Sequence, residues 1–151
     1  MRRILITGMS GTGKSSALAA LAAQGFRVVD TDEPGWKKPL GDDELWREDR
    51  IEALLAEETP ESLFVSGTVR NQGRFYDRFD AVVLLSAPPE VILERIATRT
   101  TNDFGKSEDQ RERILADQAR FEPLLRAGAT HELDTTQSFE AVVAALADLA
   151  R

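Results

Sequence analysis

The chain has 151 residues, 42% of them hydrophobic, which suits a single domain over residues 1–151 with a packed core. Its net charge of −7 argues against general nucleic-acid binding and against binding to an anionic membrane, since both favour a basic surface. Cysteine is absent, which excludes disulfides and cysteine-based metal sites. The first predicted strand is too short for the core of a signal peptide or for a membrane span, so we expect a cytoplasmic protein.

The most specific motif lies at residues 8–15, which read Gly-Met-Ser-Gly-Thr-Gly-Lys-Ser, the G-x-x-x-x-G-K-[ST] pattern of a phosphate-binding loop (P-loop). Its glycines allow successive backbone N–H groups to point at phosphate oxygens. The apolar stretch 3–7 predicts a strand before the loop, and 14–24 predicts a helix after it. The N-terminus of that helix adds a positive field for an anion. This order predicts that the chain binds a nucleoside triphosphate.

The whole loop and the residue after it are expected to contact the triphosphate. The predicted contacts are Gly8, Met9, Ser10, Gly11, Thr12, Gly13, Lys14, Ser15 and Ser16. Lys14 can reach the β- and γ-phosphates and is a candidate catalytic residue, while the hydroxyl group of Ser15 can bind Mg²⁺.

Downstream, apolar runs alternate with helix-forming stretches. The predicted strands are 26–30, 63–65, 81–85 and 130–133, and the predicted helices run from a cap at Asp42 or Asp43 to about Glu57, from Pro88 or Pro89 to about Arg99, from about 108 to 126 and from 139 to 150. Residues 31–40 are expected to be irregular and residues 100–107 to form a polar loop. This alternation predicts a three-layer α/β fold with a five-stranded parallel sheet. Ligands of such sheets bind at the carboxyl ends of the strands.

Two carboxylates follow the second predicted strand. Asp30 and Asp32 are two residues apart, so in an extended chain both side chains point to the same side. One can hold Mg²⁺ through water, and the other can accept a proton or a hydrogen bond from a substrate hydroxyl. The alternative is a solvated acidic turn.

The third and fourth predicted strands end without an acid. They run into Ser66-Gly67-Thr68 and Ser86-Ala87, whereas many mechanical ATPases place Asp or Glu there to hold Mg²⁺ and orient water. The sequence also lacks the guanine-reading Asn-Lys-x-Asp motif. These absences weaken the interpretations as a motor or as a GTPase.

Two pairs of arginines are candidates for binding anions. Arg95 and Arg99 lie at i and i+4 of a predicted helix, directly before the loop 100–107, where they can close over a triphosphate and stabilise the transferring phosphoryl group. Arg47 and Arg50 can hold the carboxylate or phosphate of an acceptor. For each pair the alternative is a solvated, salt-bridged helix face.

Two further features leave their interpretation open. Trp36 and Trp46 flank the irregular segment, where they either wall a substrate pocket or pack in the core. Arg70, Arg74 and Arg78 form a local basic patch that would suit a kinase acting on an RNA or nucleotide end, although the acidic net charge disfavours that function.

Together these motifs resemble the small P-loop kinases, the group of shikimate kinase and adenylate kinase. The likeness follows the element order of the whole chain, and it is most specific at the P-loop and at 26–32, whose Asp-x-Asp is similar to a motif of shikimate kinases. The resemblance implies the strand order 2-3-1-4-5, a short lid at about 100–107 and an acceptor-binding segment at about 31–58. The stretch 132–136 resembles the one that lies beside the adenine in this group.

The resemblance also implies roles for single residues. Asp30 would lie near Mg²⁺ and Asp32, a candidate catalytic residue, near the acceptor hydroxyl. Arg47 resembles an arginine that holds the carboxylate of the acceptor, and the lid arginines Arg95 and Arg99 would bind the phosphates. Gly67 stands where shikimate kinases have a run of three glycines, and it is a candidate substrate contact. Because the rest of that run differs, shikimate itself is not inferred as the substrate.

The function implied is a kinase, active as a monomer or homodimer, that transfers the γ-phosphoryl group of ATP with Mg²⁺ to a small-molecule or nucleotide acceptor. The alternative is a nucleotide-binding regulatory or adaptor protein with slow ATPase activity, which would need no acceptor pocket.

Overall fold

The computed structural model describes residues 1–98 and 107–151. The strands are β1 (Arg3–Thr7), β2 (Arg27–Asp30), β3 (Lys37–Leu40), β4 (Asp43–Trp46), β5 (Leu63–Ser66), β6 (Ala81–Ser86) and β7 (His131–Asp134). The helices are α1 (Lys14–Ala23), α2 (Glu48–Ala56), α3 (Pro89–Thr98), α4 (Glu108–Gly128) and α5 (Phe139–Leu149), with a 3₁₀ helix at Gln72–Arg78. Within these residues no helix combines the length and the apolar character that a membrane span requires.

The central feature is a parallel sheet with the spatial order β2-β5-β1-β6-β7. Numbered by their order along the chain within this sheet, its strands stand as 2-3-1-4-5, so the predicted α/β fold and strand order are confirmed. The middle strand β1 pairs with β5 and β6, and Leu5 lies opposite both Val65 and Val82. The carboxyl ends of β1, β2 and β5 therefore lie side by side at one edge of the sheet.

Both faces of the sheet are covered at its centre, which explains why β1, β5 and β6 read as nearly continuous apolar runs. Successive strand residues point to opposite faces. Ile4 and Ile6 pack with α1 and α5, while Leu5 packs with the buried side chains of Trp46 and Ile51. All five of these residues are fully buried.

The segment after β2 differs from the prediction. The helix expected from Asp42 or Asp43 is wrong over its first turns, since β3 and β4 form an antiparallel hairpin and α2 begins only at Glu48. The expected irregular stretch 31–40 likewise contains β3. Leu40 pairs with Asp43 across a two-residue turn, in which Gly41 adopts a left-handed φ of 62°. The few apolar residues of β3 and β4 fit a helix and a strand alike, and the Gly-Asp pair between the two strands is the feature that favours a hairpin.

A buried threonine joins this hairpin to the sheet. The hydroxyl group of Thr31 donates to the carbonyl oxygen of Ser66 at 2.7 Å and accepts from the indole Nε1 of Trp46 at 2.9 Å. The backbone amide of Thr31 also donates to Ser66, at 3.0 Å. Gly67 packs against this cluster so closely that a Cβ atom there would lie 2.3 Å from Oγ1 of Thr31. The end of β2, the end of β5 and the hairpin are thus fixed together.

The close packing around Gly67 gives a stability prediction. We expect Gly67→Ala to lower the free energy of unfolding by about 1–3 kcal/mol, because overpacking a tight site typically costs this much. Gly73→Ala is the matched control, since a Cβ atom at Gly73 meets no atom within 4 Å. Denaturant unfolding followed by circular dichroism measures both variants. Equal stability of the two variants would contradict the prediction.

Candidate active site

The P-loop forms a cradle of backbone amides between β1 and α1. Gly13 precedes the helix with a left-handed φ of 96°, a conformation that glycine adopts at no steric cost. The amides of Lys14, Ser15 and Ser16 lie in the first turn of α1 and donate to no protein group within the described residues. These residues line a cavity of about 510 Å³ together with Asp32 and with residues of the loop itself. Free amides at a helix N-terminus suit the binding of phosphate.

Lys14 reaches back across the cradle. Its Nζ atom donates to the carbonyl oxygen of Gly8 and, at 3.2 Å, to that of Met9. Burial of the ammonium group lowers the pKa of Lys14 to about 8, although the nearby charges of Asp32 and Asp30 act in the opposite direction. The ammonium therefore lies close to both carboxylates and to the phosphate cradle.

Thr68, directly after β5, holds the start of the P-loop. Its hydroxyl group donates to the carbonyl oxygen of Gly8 at 2.7 Å and accepts from the amide of Gly8 at 3.2 Å. Thr68 also lines the cavity. Thr68 could not be singled out from the sequence, because a threonine after a strand belongs to no recognised site motif.

Asp30 lies beside the P-loop helix. The hydroxyl group of Ser15 donates to Oδ2 of Asp30 at 3.4 Å, and the amide of Asp32 donates to Oδ1 of Asp30 at 2.9 Å. A carboxylate and a hydroxyl oxygen next to a phosphate cradle are ligands of the kind that Mg²⁺ binds, together with phosphate oxygens and water. The donor set therefore fits Mg²⁺.

Asp32 also lines the cavity but has a different partner. Its Oδ1 atom accepts a hydrogen bond from Nζ of Lys37 on β3 at 2.9 Å, and Nζ of Lys37 lies 3.5 Å from Oε1 of Glu44. Burial acts to lower the pKa of Lys37, but the hydrogen bond and the charges of Asp32 and Glu44 raise it above its usual value. Lys37 could not be identified from the sequence, because the direction of a side chain cannot be predicted in a segment that is expected to be irregular.

Arg95 contacts the P-loop from α3. Its guanidinium donates to Oγ1 and the carbonyl oxygen of Thr135, at 2.8 and 2.7 Å, and to the carbonyl oxygen of Gly11 at 3.3 Å. It thus bridges the P-loop and the segment after β7. Arg99 and nearly all of the expected lid at 100–107 lie outside the described residues, so the phosphate-binding role of both arginines stays a prediction.

The residues expected on the acceptor side are only partly brought together. Arg47 caps α2, and its guanidinium lies 3.6 Å from the carboxylate of Asp49, a long contact that leaves the cation accessible. Arg50 donates to the carbonyl oxygen of Gly35 at 3.2 Å and lies over the ring of Trp36. Gly67 contacts Thr31 and Trp46, and its contact with a substrate stays a prediction, as does that of Arg47.

Trp46 is fully buried in the core, so of the two interpretations core packing applies to this residue. The three arginines of the expected basic patch are each paired with a carboxylate. Arg70 lies 2.5 Å from Asp43, Arg74 2.9 Å from Glu48 and Arg78 2.6 Å from Glu52. These ion pairs offset the positive charge of the patch, which weakens the support for binding of an RNA end.

Comparison with known proteins agrees with this geometry. Residues 4–116 match the model of a family described as an AAA domain. No curated protein sequence matches the chain. Shikimate kinase from Acinetobacter baumannii, solved in complex with shikimate, superimposes with a TM-score of 0.67 at 17% identity over 99% of this chain and 92% of that chain.

Two further solved structures share the fold. Deoxyadenosine kinase from M. mycoides with bound dATP gives a TM-score of 0.63 at 14% identity over 97% of each chain. A gluconokinase from Sinorhizobium meliloti 1021 gives a TM-score of 0.63 at 24% identity over 99% of this chain and 93% of that chain. The chain therefore belongs to the AAA domain family and has the fold of the small P-loop kinases of the shikimate kinase and adenylate kinase type.

Proposed function

We propose that this protein is a kinase that transfers the γ-phosphoryl group of ATP, with Mg²⁺, to a hydroxyl or phosphate group of a small-molecule or nucleotide acceptor. The observation that carries the proposal is the pair Asp30 and Asp32. Asp30 lies beside Ser15 at the P-loop, whereas Asp32 faces the same cavity and pairs with Lys37. A carboxylate at this position has no evident role in binding a nucleotide alone, but it could accept a hydrogen bond from the hydroxyl group of an acceptor.

The fold neighbours support this class of reaction. They include proteins described as shikimate kinase, deoxyadenosine kinase and gluconokinase. Their acceptors differ widely, so the shared fold supports phosphoryl transfer and leaves the acceptor to be identified. Because the donor is ATP, we place the reaction in the cytoplasm.

On the donor side, the amides of the P-loop would bind the phosphate oxygens and Lys14 would leave its backbone carbonyls to neutralise the β- and γ-phosphates. Ser15 would bind Mg²⁺ directly and Asp30 through water. When bound, Mg²⁺ neutralises charge on the phosphates. Arg95 would stabilise the same charge from the other side of the loop, together with Arg99.

On the acceptor side, Asp32 would accept a hydrogen bond from the acceptor hydroxyl. The oxygen of the acceptor hydroxyl would form a bond to the γ-phosphorus while the bond from that phosphorus to the bridging oxygen of ADP breaks. The hydroxyl proton would pass to Asp32 or to water. Where the acceptor group is itself a phosphate, no hydroxyl proton is transferred, and Arg47 rather than Asp32 would hold the anionic group. Arg47 would hold an anionic group of the acceptor and Gly67 would lie against it.

The lowered pKa of Lys14 predicts that nucleotide binding takes up a proton in mildly alkaline solution. Phosphates stabilise the ammonium form, so binding raises its pKa from about 8, and affinity falls as the pH rises above that value. With Mg²⁺ saturating, the uptake should be clearly larger at pH 8.5 than at pH 7. Calorimetric titration of ATP in buffers of different ionisation enthalpy measures both values.

Lys14→Arg is the matched variant for this experiment, because arginine keeps the charge at every accessible pH. It should bind ATP without proton uptake. Uptake that is equal at the two pH values, or that persists in Lys14→Arg, would show that another group is responsible.

Asp30→Asn tests the metal side of the site. We expect the variant to weaken ATP binding roughly tenfold in the presence of Mg²⁺, the usual cost of losing an outer-sphere partner of a metal. Asparagine keeps the oxygen that accepts from the amide of Asp32, so ATP binding in EDTA should not weaken. Calorimetry with and without Mg²⁺ separates the two cases, and an equal loss in both would exclude a metal role for Asp30.

Asp32→Asn tests the acceptor side. The wild type is screened for ATP consumption against a metabolite library, and turnover of any acceptor that reacts through a hydroxyl group should fall about 100-fold or more in the variant, the typical contribution of a general base. ATP binding should be retained. Glu33→Gln, an exposed neighbour, is the control. If Asp32→Asn keeps full turnover, the acceptor site is wrongly placed, and if no acceptor stimulates ATP consumption, the regulatory function is favoured.

A further inference from the structure

The β3–β4 hairpin forms two side-chain hydrogen bonds with the segment 30–32. Lys37 and Trp46 lie directly opposite each other in the hairpin register. The indole group of Trp46 binds Thr31, and the ammonium group of Lys37 binds Asp32. The two strands of the hairpin therefore help to position both Thr31 and the carboxylate of Asp32.

The two carboxylates consequently differ in their surroundings. Asp30 accepts from a hydroxyl and an amide, and within the described ranges no lysine or arginine forms an ion pair with it. The ammonium group of Lys14 acts on both carboxylates from the P-loop, but within the same ranges only Asp32 also has a second cation in direct contact. Asp32 is already hydrogen-bonded to a cation through Oδ1.

We infer that Lys37 is a positioning residue that assigns separate tasks to the two carboxylates, keeping the metal ion off Asp32 and leaving that side chain for the acceptor. The inference rests on the proposed function, since it concerns the Mg²⁺ and acceptor sites of the same cavity. The spacing of Asp30 and Asp32 does not distinguish the two tasks, because both side chains are aspartates at the same strand end. Only the resemblance to the small P-loop kinases implies which carboxylate has which task.

The physical reason is repulsion between like charges. A metal ion that binds Asp32 must either displace the ammonium group of Lys37 or lie within a few ångströms of it, and both cost energy. Two features oppose displacement of Lys37. Its side chain is only 17% exposed, and the carboxylate of Glu44, on the second strand of the hairpin, lies 3.5 Å from the ammonium.

The geometry also restricts what Asp32 can do. With Oδ1 bound to Lys37, Oδ2 has no protein donor within the described residues and remains for the acceptor hydroxyl. A carboxylate held at one oxygen presents the other in a fixed direction, which is what positioning of an acceptor requires.

The test counts metal ions with Mn²⁺ as the probe in place of Mg²⁺. Free Mn²⁺ is measured by electron paramagnetic resonance during titration of the full-length protein saturated with the non-hydrolysable analogue AMPPNP. The wild type should bind one Mn²⁺ per nucleotide complex. Lys37→Met removes the charge and keeps the apolar stem, so it should add a second Mn²⁺ or tighten the first roughly fivefold.

Three companion variants make the result specific. Lys38→Met removes the same charge from the next residue, which is exposed, and this variant should bind Mn²⁺ with the same isotherm as the wild type. Lys37→Arg keeps the charge and should do the same. The double variant Lys37→Met/Asp32→Asn removes the carboxylate that gains the metal, so it should also return to the isotherm of the wild type.

The inference is overturned if Lys37→Met binds Mn²⁺ as the wild type does, or if its gain survives in the double variant. Lys37→Gln provides a second neutral side chain in case the methionine variant fails to fold, and the same outcomes apply to it. A wild type that does not bind AMPPNP at all overturns the proposed function itself. Failure of the proposed kinase function is thus distinguishable from failure of the role inferred for Lys37.

Discussion

The site depends on the hydrogen bonds of one buried hydroxyl group, that of Thr31. It donates to the end of β5 and accepts from the indole of Trp46, so three separate segments meet at one side chain. Thr31 is fully buried, and a buried hydroxyl that lost its partners would cost free energy. Because Thr31 lies between Asp30 and Asp32, these hydrogen bonds place the backbone from which both carboxylates extend. The hydrophobic core thereby determines the placement of exposed, charged groups.

This arrangement accounts for the missing acid after β5 and β6. The carboxyl ends of β1, β2 and β5 are neighbours, so a carboxylate needed near the P-loop can come from β2 as readily as from β5. Asp30 lies next to Ser15 in this way, and the position after β5 is left to Gly67 and Thr68. Gly67 gives the space that the Thr31 cluster needs, and Thr68 ties the P-loop to the sheet.

The sequence predicted the features that depend on local pattern. The P-loop follows from a motif, and the strands of the sheet follow from short runs that alternate with helix-forming stretches, the clearest being the apolar runs of β1, β5 and β6. The hairpin could not be predicted so directly, because Leu45 and Trp46 fit a helical face as well as a strand. Lys37 depends on that hairpin for its direction, and Thr68 acts through contacts about sixty residues apart in the chain. These last positions are set by tertiary packing, which a local pattern does not encode.

An acidic protein that binds a triphosphate must concentrate its positive field locally. Here the field comes from the first turn of α1, from Lys14 and from Arg95, all within reach of the P-loop. Charges elsewhere on the surface are screened over roughly 8–10 Å at physiological salt, so the net charge of −7 has little influence inside the cavity. Lys37 also adds positive charge near the cavity, where it offsets the charge of Asp32. A site with one unpaired carboxylate attracts a metal to one place, whereas two unpaired carboxylates would compete for it.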